Sequence, residues 1–450
     1  MSSNDSVHGM WSSRFMFILA AAGSAVGLGN IWRFPYVAGE NGGGAFVLVY
    51  LVCIFLIGIP ILTSEIFLGR AGRKSPINTM QGLVEHSGAN KAWNVIGWMG
   101  ALAGFMILSF YAVIAGWAMS YMFSSASGVF VDIDGAGASS VFNDFVGDPA
   151  QVLTWHGIFM LITIYIVGRG VANGLEQAVK YLMPALFLLL LLLVGYSANT
   201  SHFSEGVSFL FSFNVEKLTW NGVLIAMGQA FFTLSLGMGA IMSYGAYMPK
   251  DSSIVGSATI IALIDTSVAL LAGIAIFPLV FANGLEISSG PGLMFVTLPL
   301  AFGQMSGGVI FGTMFFLLVT FAAITSAISL IEPALAWLVE HLHVSRLRGA
   351  ILVGGVAWFV GLGSAFSTNI WSDVMVLPGM DFFTSMDYVS NNIMLPLGGM
   401  LIALFSGWAV DKSVSQDQLQ LSPGQFAIWE ILVRFIAPLA VGTVFVMTFI

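Results

Sequence analysis

Long apolar runs, each closed by a short polar or glycine-rich stretch, repeat along the whole chain, and almost no charge falls inside them. A helix needs about 20 apolar residues to cross the hydrocarbon core of a bilayer, so these runs are read as membrane spans. Eleven are predicted, near 13–37, 43–69, 93–124, 152–169, 176–198, 220–247, 254–283, 308–342, 348–367, 382–409 and 427–450. The first is not a cleavable leader: it has no small-residue cleavage context, and it carries Arg33 and several glycines. The expected fold class is an all-α polytopic membrane protein.

Composition excludes the main alternative. Of 450 residues, 58% are hydrophobic and only 8% carry charge. A soluble domain carries charge on roughly a quarter of its residues, so a soluble enzyme is excluded. The net charge of −8 is dispersed and no basic patch exists, which argues against a nucleic-acid partner. The single cysteine, Cys53, rules out an intrachain disulfide. The cations sort by side: Arg70, Arg73, Lys74, Lys91, Arg169, Lys180, Lys250, Arg346, Arg348 and Lys412 fall in the connections on one side, and only Lys217 on the other. Positive charge marks the cytoplasmic side, which puts the N-terminus inside and, with an odd number of spans, the C-terminus outside. Segments 132–150 and 284–306 then become outer loops, the second apolar enough to pack as a partly helical cap. Segment 70–92 is the longest inner loop; its charges read first as topology determinants, with anionic lipid as a further partner.

Two spans contain what a lipid-facing helix avoids. The first reads Ala22-Gly23-Ser24-Ala25-Val26-Gly27-Leu28-Gly29-Asn30, and the sixth Phe231-Phe232-Thr233-Leu234-Ser235-Leu236-Gly237-Met238-Gly239. Unwound backbone is tolerated inside a bilayer only where protein or a wet cavity satisfies it. The two breaks lie about 210 residues apart, in the first element of each of two five-span halves. Such paired interruptions point to a transporter binding site between inverted repeats. Close packing through small residues accounts for most of the 52 glycines, but less well for these two clusters. Half-helix N-termini suit a carboxylate and exposed carbonyls suit a hard cation such as sodium, so an amino acid accompanied by Na⁺ fits.

Ionisable groups within spans are functional candidates. Asp265, flanked by apolar residues halfway along the seventh span, needs a proton, a cation or an arginine. Glu65 ends the second span. Arg33 and Asp387 both fall toward the outer side and are placed to pair as a gate, with a static pair as the alternative. On the eighth span the Thr325 and Ser326 hydroxyls and the Ala322 carbonyl share one face, a set of oxygens for a hard cation, although such hydroxyls also bond back to their own helix. His341 and His343 diverge around their helix, so no metal site is expected there. No catalytic motif is present, and the chain is not expected to be an enzyme.

The strings GSAVGLGNIWRFPYVAGENGGGAF (23–46) and GQAFFTLSLGMGAIMSYGAY (228–247), with ITSAISLIEP (324–333) and MDYVSNN (386–392), resemble the neurotransmitter:sodium symporter family over nearly the whole chain. The likeness is greatest to its short, eleven-span bacterial branch that carries hydrophobic amino acids. It implies two inverted five-helix repeats, 13–198 and 199–409, after a cytoplasmic segment 1–12 and before an additional span 427–450. The location implied is a bacterial inner membrane and the mechanism alternating access driven by two sodium ions. Carried onto this chain, sodium site one uses Ala25, Asn30, Thr233 and Asp265 with the substrate carboxylate. Site two uses Gly23, Val26, Ala322, Thr325 and Ser326. The substrate pocket takes Ala25, Gly27, Leu28, Gly29 and Tyr111 at its carboxylate end, with Ile107, Phe232, Thr233, Ser235, Met238, Ser326 and Leu330 around the side chain. Phe232 is the lid, Arg33 and Asp387 lie outside it, and Trp11, Tyr247 and Glu340 form the inner gate.

Further expectations come from comparing residues within the family. Gly27 stands where monoamine carriers have an aspartate, which favours an amino acid substrate. Asp265 replaces an asparagine and supplies a fixed negative charge, so transport is expected to be chloride-independent. His8 stands where an arginine closes the inner gate elsewhere, leaving Trp11 or Arg14 to close it. Gly174 and Pro184 match a segment of the fifth span that unwinds in related members, with a passive proline kink as the alternative. A proton-coupled carrier of the same fold and a non-transporting amino acid receptor are the competing readings.

Overall fold

The structure, a computed structural model, describes residues 8–213, 218–284 and 292–447. Among them, nine helices are long and apolar enough to cross a membrane, and the pair Arg14–Ala25 and Gly29–Glu40, bent by 54°, makes ten. The predicted sixth span is two shorter helices, Trp220–Thr233 and Ala240–Ala246. Taken as one crossing, they complete the predicted eleven. The other spans are Gly44–Gly72, Lys91–Ala126, Pro149–Gly168, Val171–Ser197, Ile254–Ala282, Gly308–Leu342, Arg346–Phe366, Phe382–Ala409 and Pro423–Met447.

Local chemistry explains where the helices start. Ser13, Thr219 and Ser253 accept from the backbone N–H groups of Met16, Gly222 and Gly256 at 3.2, 3.0 and 3.2 Å, satisfying donors that a helix start leaves open. Asp148 caps the fourth span through Ala150 N at 2.9 Å, ahead of Pro149, whose missing N–H is harmless in a first turn.

The first span packs against the fifth, seventh and eighth, and the eighth against the third. The third and eighth are largely enclosed, while the eleventh mostly faces outward. The two broken spans are therefore held inside a scaffold of unbroken ones, where their open backbone groups find protein partners.

The connections are more ordered than expected. Segment 132–150 contains the helix Gly135–Gly147, capped by Asp134 through Gly137 N at 2.7 Å and buried through Ala138, Phe145 and Val146. Segment 70–92 contains Pro76–His86, capped by Ser75. Both form because a capping residue precedes a run with one apolar face. The expected helical cap forms over Leu293–Gly303, where Phe295 joins Trp117, Tyr121 and Phe142 in an aromatic cluster. Residues 285–291 of that segment lie outside the described residues.

Candidate functional site

Each break opens backbone groups that side chains from other spans close. In the first span the helix stops at Ala25; Val26 is extended, and Gly27 N donates to Asn30 Oδ1 at 3.0 Å. The carbonyls of Ser24 and Val26 accept from Ser326 Oγ at 3.3 and 3.4 Å, and Ser24 O also accepts from Ser235 Oγ at 2.9 Å. The second break thus bonds directly to the first. Ser235 sits at φ 55 and Gly237 at φ 80. A Cβ on Gly237 would lie 2.6 Å from Leu395 O, so only glycine fits this turn. Gly237 N donates to Glu65 Oε1 at 2.5 Å. Glu65 therefore braces the break, a role its position on the second span did not reveal.

Asp265 is fully buried, and its hydrogen-bonding partners here are neutral. Asn30 Nδ2 donates to Oδ1 at 2.7 Å and to the Asp265 carbonyl at 3.1 Å, while Thr233 Oγ1 lies 3.1 and 3.0 Å from the two carboxylate oxygens. Three of the four residues named for sodium site one form one bonded group, and Ala25 is buried at the end of the adjoining half-helix. A buried carboxylate beside a hydroxyl and an amide matches the oxygen-donor chemistry of a hard cation. Turning the Asn30 amide over would present Oδ1 to such an ion.

The residues named for site two also converge. Thr325 Oγ1 donates to Ala322 O at 3.0 Å and to Phe321 O at 3.2 Å. The Thr325 Cβ lies 3.3 Å from where a Cβ on Gly23 would stand, and Ser326 reaches Val26 O as above. Both hydroxyls donate to carbonyls, which leaves their lone pairs for a cation.

Between the breaks lies a small cavity of about 30 Å³. All twelve residues named for the pocket line it: Ala25, Gly27, Leu28, Gly29, Ile107, Tyr111, Phe232, Thr233, Ser235, Met238, Ser326 and Leu330. Ser24 lines it too and was missed, because a serine among small residues carries no signal until the break turns it inward. Tyr111 OH accepts from Leu28 N at 3.4 Å, marking a polar end. A Cβ on Gly27 would stand 2.6 Å from Ser326 Oγ and 3.1 Å from Tyr111 OH, so a side chain there would fill that end. Ile107, Met238 and Leu330 make the opposite end apolar.

The two exits differ. Toward the side opposite the N-terminus the barrier is the Phe232 ring, with the Arg33 guanidinium 4.8 Å above its centroid. Arg33 and Asp387 make no ion pair in this structure: Asp387 Oδ1 accepts from Asn391 Nδ2 at 2.6 Å, and Arg33 rests on the ring. The expected pairing is therefore not made in this state. Beyond the ring a second, larger cavity of about 330 Å³ is lined by Arg33, Phe232, Tyr388 and Asn391 among others.

Toward the N-terminal side the barrier is a network. Trp11 is 2% exposed, donates from Nε1 to Tyr244 O at 3.1 Å, and meets the Tyr244 ring edge-on. Tyr247 OH donates to Glu332 Oε1 at 2.6 Å, and Arg346 pairs with the other oxygen of Glu332 at 2.5 Å. Glu340 accepts from Ser75 N, Ser75 Oγ and Asn78 Nδ2, and His8 Nε2 lies 2.9 Å from its Oε1. This corrects the expectation that Trp11 or Arg14 must stand in for a missing arginine. The ring of His8 reaches the carboxylate itself, whereas Arg14 Nε donates to Ser257 Oγ at 3.0 Å. Ser12 adds bonds from N and Oγ to Glu176 at 2.9 and 2.5 Å, tying the N-terminal segment to the fifth span. In that span Val171–Leu175 is one wide helical turn and Pro184 lies within the helix that follows, so the stretch is wound here.

Comparison with known proteins agrees with this geometry. The family described as the sodium:neurotransmitter symporter family matches residues 8–131 and 144–450. An "uncharacterized sodium-dependent transporter", YhdH, of Bacillus subtilis is 39% identical over 439 residues, 97% of this chain and 96% of that relative. A second, from Haemophilus influenzae, is 32% identical over 99% of each chain. The crystal structure of MhsT in complex with L-phenylalanine superposes with a TM-score of 0.90 at 45% identity, covering 97% of this chain and 99% of that one.

Proposed function

This chain belongs to the sodium:neurotransmitter symporter family and is a sodium-dependent membrane transporter, and from that premise we propose that it imports hydrophobic L-amino acids, aliphatic and aromatic, by alternating access. The observation that carries the reading is the cavity between the breaks. Its polar end, at Gly27 and Tyr111, suits a carboxylate, and its apolar end, at Ile107, Met238 and Leu330, suits a bulky side chain. Met238 adapts to different shapes, which suits a range of such side chains. MhsT, which has this fold, binds L-phenylalanine in its crystal structure.

Two sodium ions travel with the substrate in this reading. One is held by Asp265, Asn30, Thr233, Ala25 and the substrate carboxylate, the other by the oxygens of Gly23, Val26, Ala322, Thr325 and Ser326. Asp265 keeps a fixed negative charge beside the first ion, which makes chloride unnecessary. Residues 13–198 and 199–409 act as inverted repeats that rock around this centre, and 427–450 is an added span. The N-terminal side, where most cations fall, faces the cytoplasm of a bacterium and the C-terminus faces out.

The test is uptake by purified protein in liposomes. Labelled leucine, phenylalanine or tryptophan should accumulate under an inward sodium gradient, with gluconate replacing chloride at no cost. Accumulation driven equally by a pH gradient in potassium buffer would favour the proton-coupled reading, and binding without uptake would favour a receptor. Asp265→Asn should make transport respond to chloride; a collapse of wild-type transport in gluconate would sink that role for Asp265.

A further inference from the structure

Where the chain leaves the ninth span it is first pinned and then put outside the protein. Ser367 Oγ accepts from Phe383 N at 3.0 Å, and Thr368 Oγ1 and Asn369 Nδ2 donate to Val146 O at 3.1 and 2.8 Å. Asp381 Oδ1 accepts from Thr384 N at 2.7 Å. These bonds hold residues 367–369 and 381–384 at the level where the helices end. Between them Ile370, Trp371, Val374, Met375 and Val376 are exposed by 62, 39, 46, 55 and 53%. The strand β1 (Met375–Leu377) pairs antiparallel with β2 (Met380–Asp381) through Pro378 and Gly379, whose φ of 73 suits a type II turn.

A two-stranded hairpin alone is marginal in water, and here Leu377, Met380 and Asp381 are half-buried while the rest of β1 is left uncovered. Met375 and Val376, where the pairing carries an extra residue on β1, are both exposed. The helix Gly135–Gly147, which connects the third and fourth spans on the same side, behaves differently: it buries Phe145 and Val146 and turns Ser140, Asn143 and Asp144 outward. That helix therefore carries a polar outer surface. The hairpin instead continues the lipid-facing stripe of the ninth span, where Leu352, Val356 and Phe359 are exposed. Phe366 at the end of that span meets Trp371 edge-on at 5.4 Å, joining the two surfaces.

We propose that residues 370–380 form an interfacial anchor whose apolar side chains rest in the boundary between headgroups and acyl chains of the leaflet opposite the N-terminus. The partner is phospholipid. Tryptophan favours that boundary, and the strand pair closes part of its own backbone hydrogen bonding before it meets lipid. The anchor holds the start of the tenth span, Phe382–Asp387, at a set depth beside the outer exit.

The test uses the full chain with Cys53→Ser and nitroxide labels at Ile370→Cys, Met375→Cys and Val376→Cys, reconstituted in phosphatidylethanolamine and phosphatidylglycerol liposomes. Ser140→Cys is the control for a water-facing site. Collisions with oxygen should exceed those with nickel-EDDA several-fold at all three hairpin sites, and the order should reverse at 140. The proposal is overturned if the hairpin labels meet the nickel reagent as freely as the one at 140. It is also overturned if they are shielded from both reagents at high protein density and released to water on dilution, because a second copy of the chain would then be the partner. This readout does not depend on which amino acid is carried.

Discussion

The two exits of the central cavity are closed by different physics. On the N-terminal side, side chains from the N-terminal segment, the second and third spans' connection, and the sixth and eighth spans share a carboxylate-centred network around Glu340, Glu332 and Trp11. On the opposite side one aromatic ring and one cation above it stand between the cavity and a larger vestibule. Hydrogen bonds that share one carboxylate are directional and are lost together when that carboxylate goes, whereas a ring and a cation contribute graded, replaceable contacts. The molecule is thus sealed on one side and thinly covered on the other, which suits a state that receives substrate from the side opposite its N-terminus.

Removing the centre of the network should have the largest effect. Glu340→Ala strips the acceptor shared by Ser75, Asn78 and His8, and a hydrogen bond to a charged group contributes about 1.5–3 kcal/mol. At 1.4 kcal/mol per tenfold, loss of several such bonds should weaken the seal on the order of a hundredfold or more. Sodium-dependent amino acid binding should fall, and the Trp11 amide, bonded to Tyr247 O at 3.0 Å, should exchange its hydrogen faster. An unchanged exchange rate would mean that the network does not seal this side.

On the other side, Phe232→Ala removes the lid. Burying a phenylalanine contributes about 1.5–3 kcal/mol, so substrate affinity in equilibrium binding should drop roughly ten- to a hundredfold without altering Trp11 exchange. If both readouts move together, the two exits are not separate barriers.

Two smaller changes sharpen the contrast. His8→Ala leaves Glu340 its bonds from Ser75 and Asn78, so it should cost about 1 kcal/mol, roughly fivefold in the same exchange measurement. Arg33→Gln removes a cation–π contact at a partly open site, about 0.5–1 kcal/mol, and substrate dissociation should quicken by roughly threefold in stopped-flow binding. An effect of Arg33→Gln larger than that of Phe232→Ala would make the guanidinium, not the ring, the outer barrier.

Much of the centre was legible in the chain because its chemistry is local. Gly-x-Gly in the middle of an apolar run, with Asn30 or Thr233 beside it, marks open backbone wherever the helix ends up, and Asp265 among apolar neighbours demands a partner in any fold. The gates were less legible, since a gate is a meeting of distant segments. His8 and Glu340 are 332 positions apart, and nothing near His8 says that its ring stops at hydrogen-bond distance from that carboxylate. Arg33 and Asp387 have the charges of a pair but not the approach. Glu65 looked like one more charge at the edge of a span until the sixth span's break was seen to end on it.

By itself the sequence determined that the chain spans a membrane, which spans are broken and which residues carry charge where water is absent. Hydropathy, helix period and the cost of burying charge act over a few residues and need no knowledge of neighbours. The tertiary structure decided which carboxylate closes which backbone gap, which of two exits is sealed, and where apolar side chains are left outside the protein. Those outcomes depend on contacts at hydrogen-bond range between segments far apart in the chain, and only packing fixes such distances.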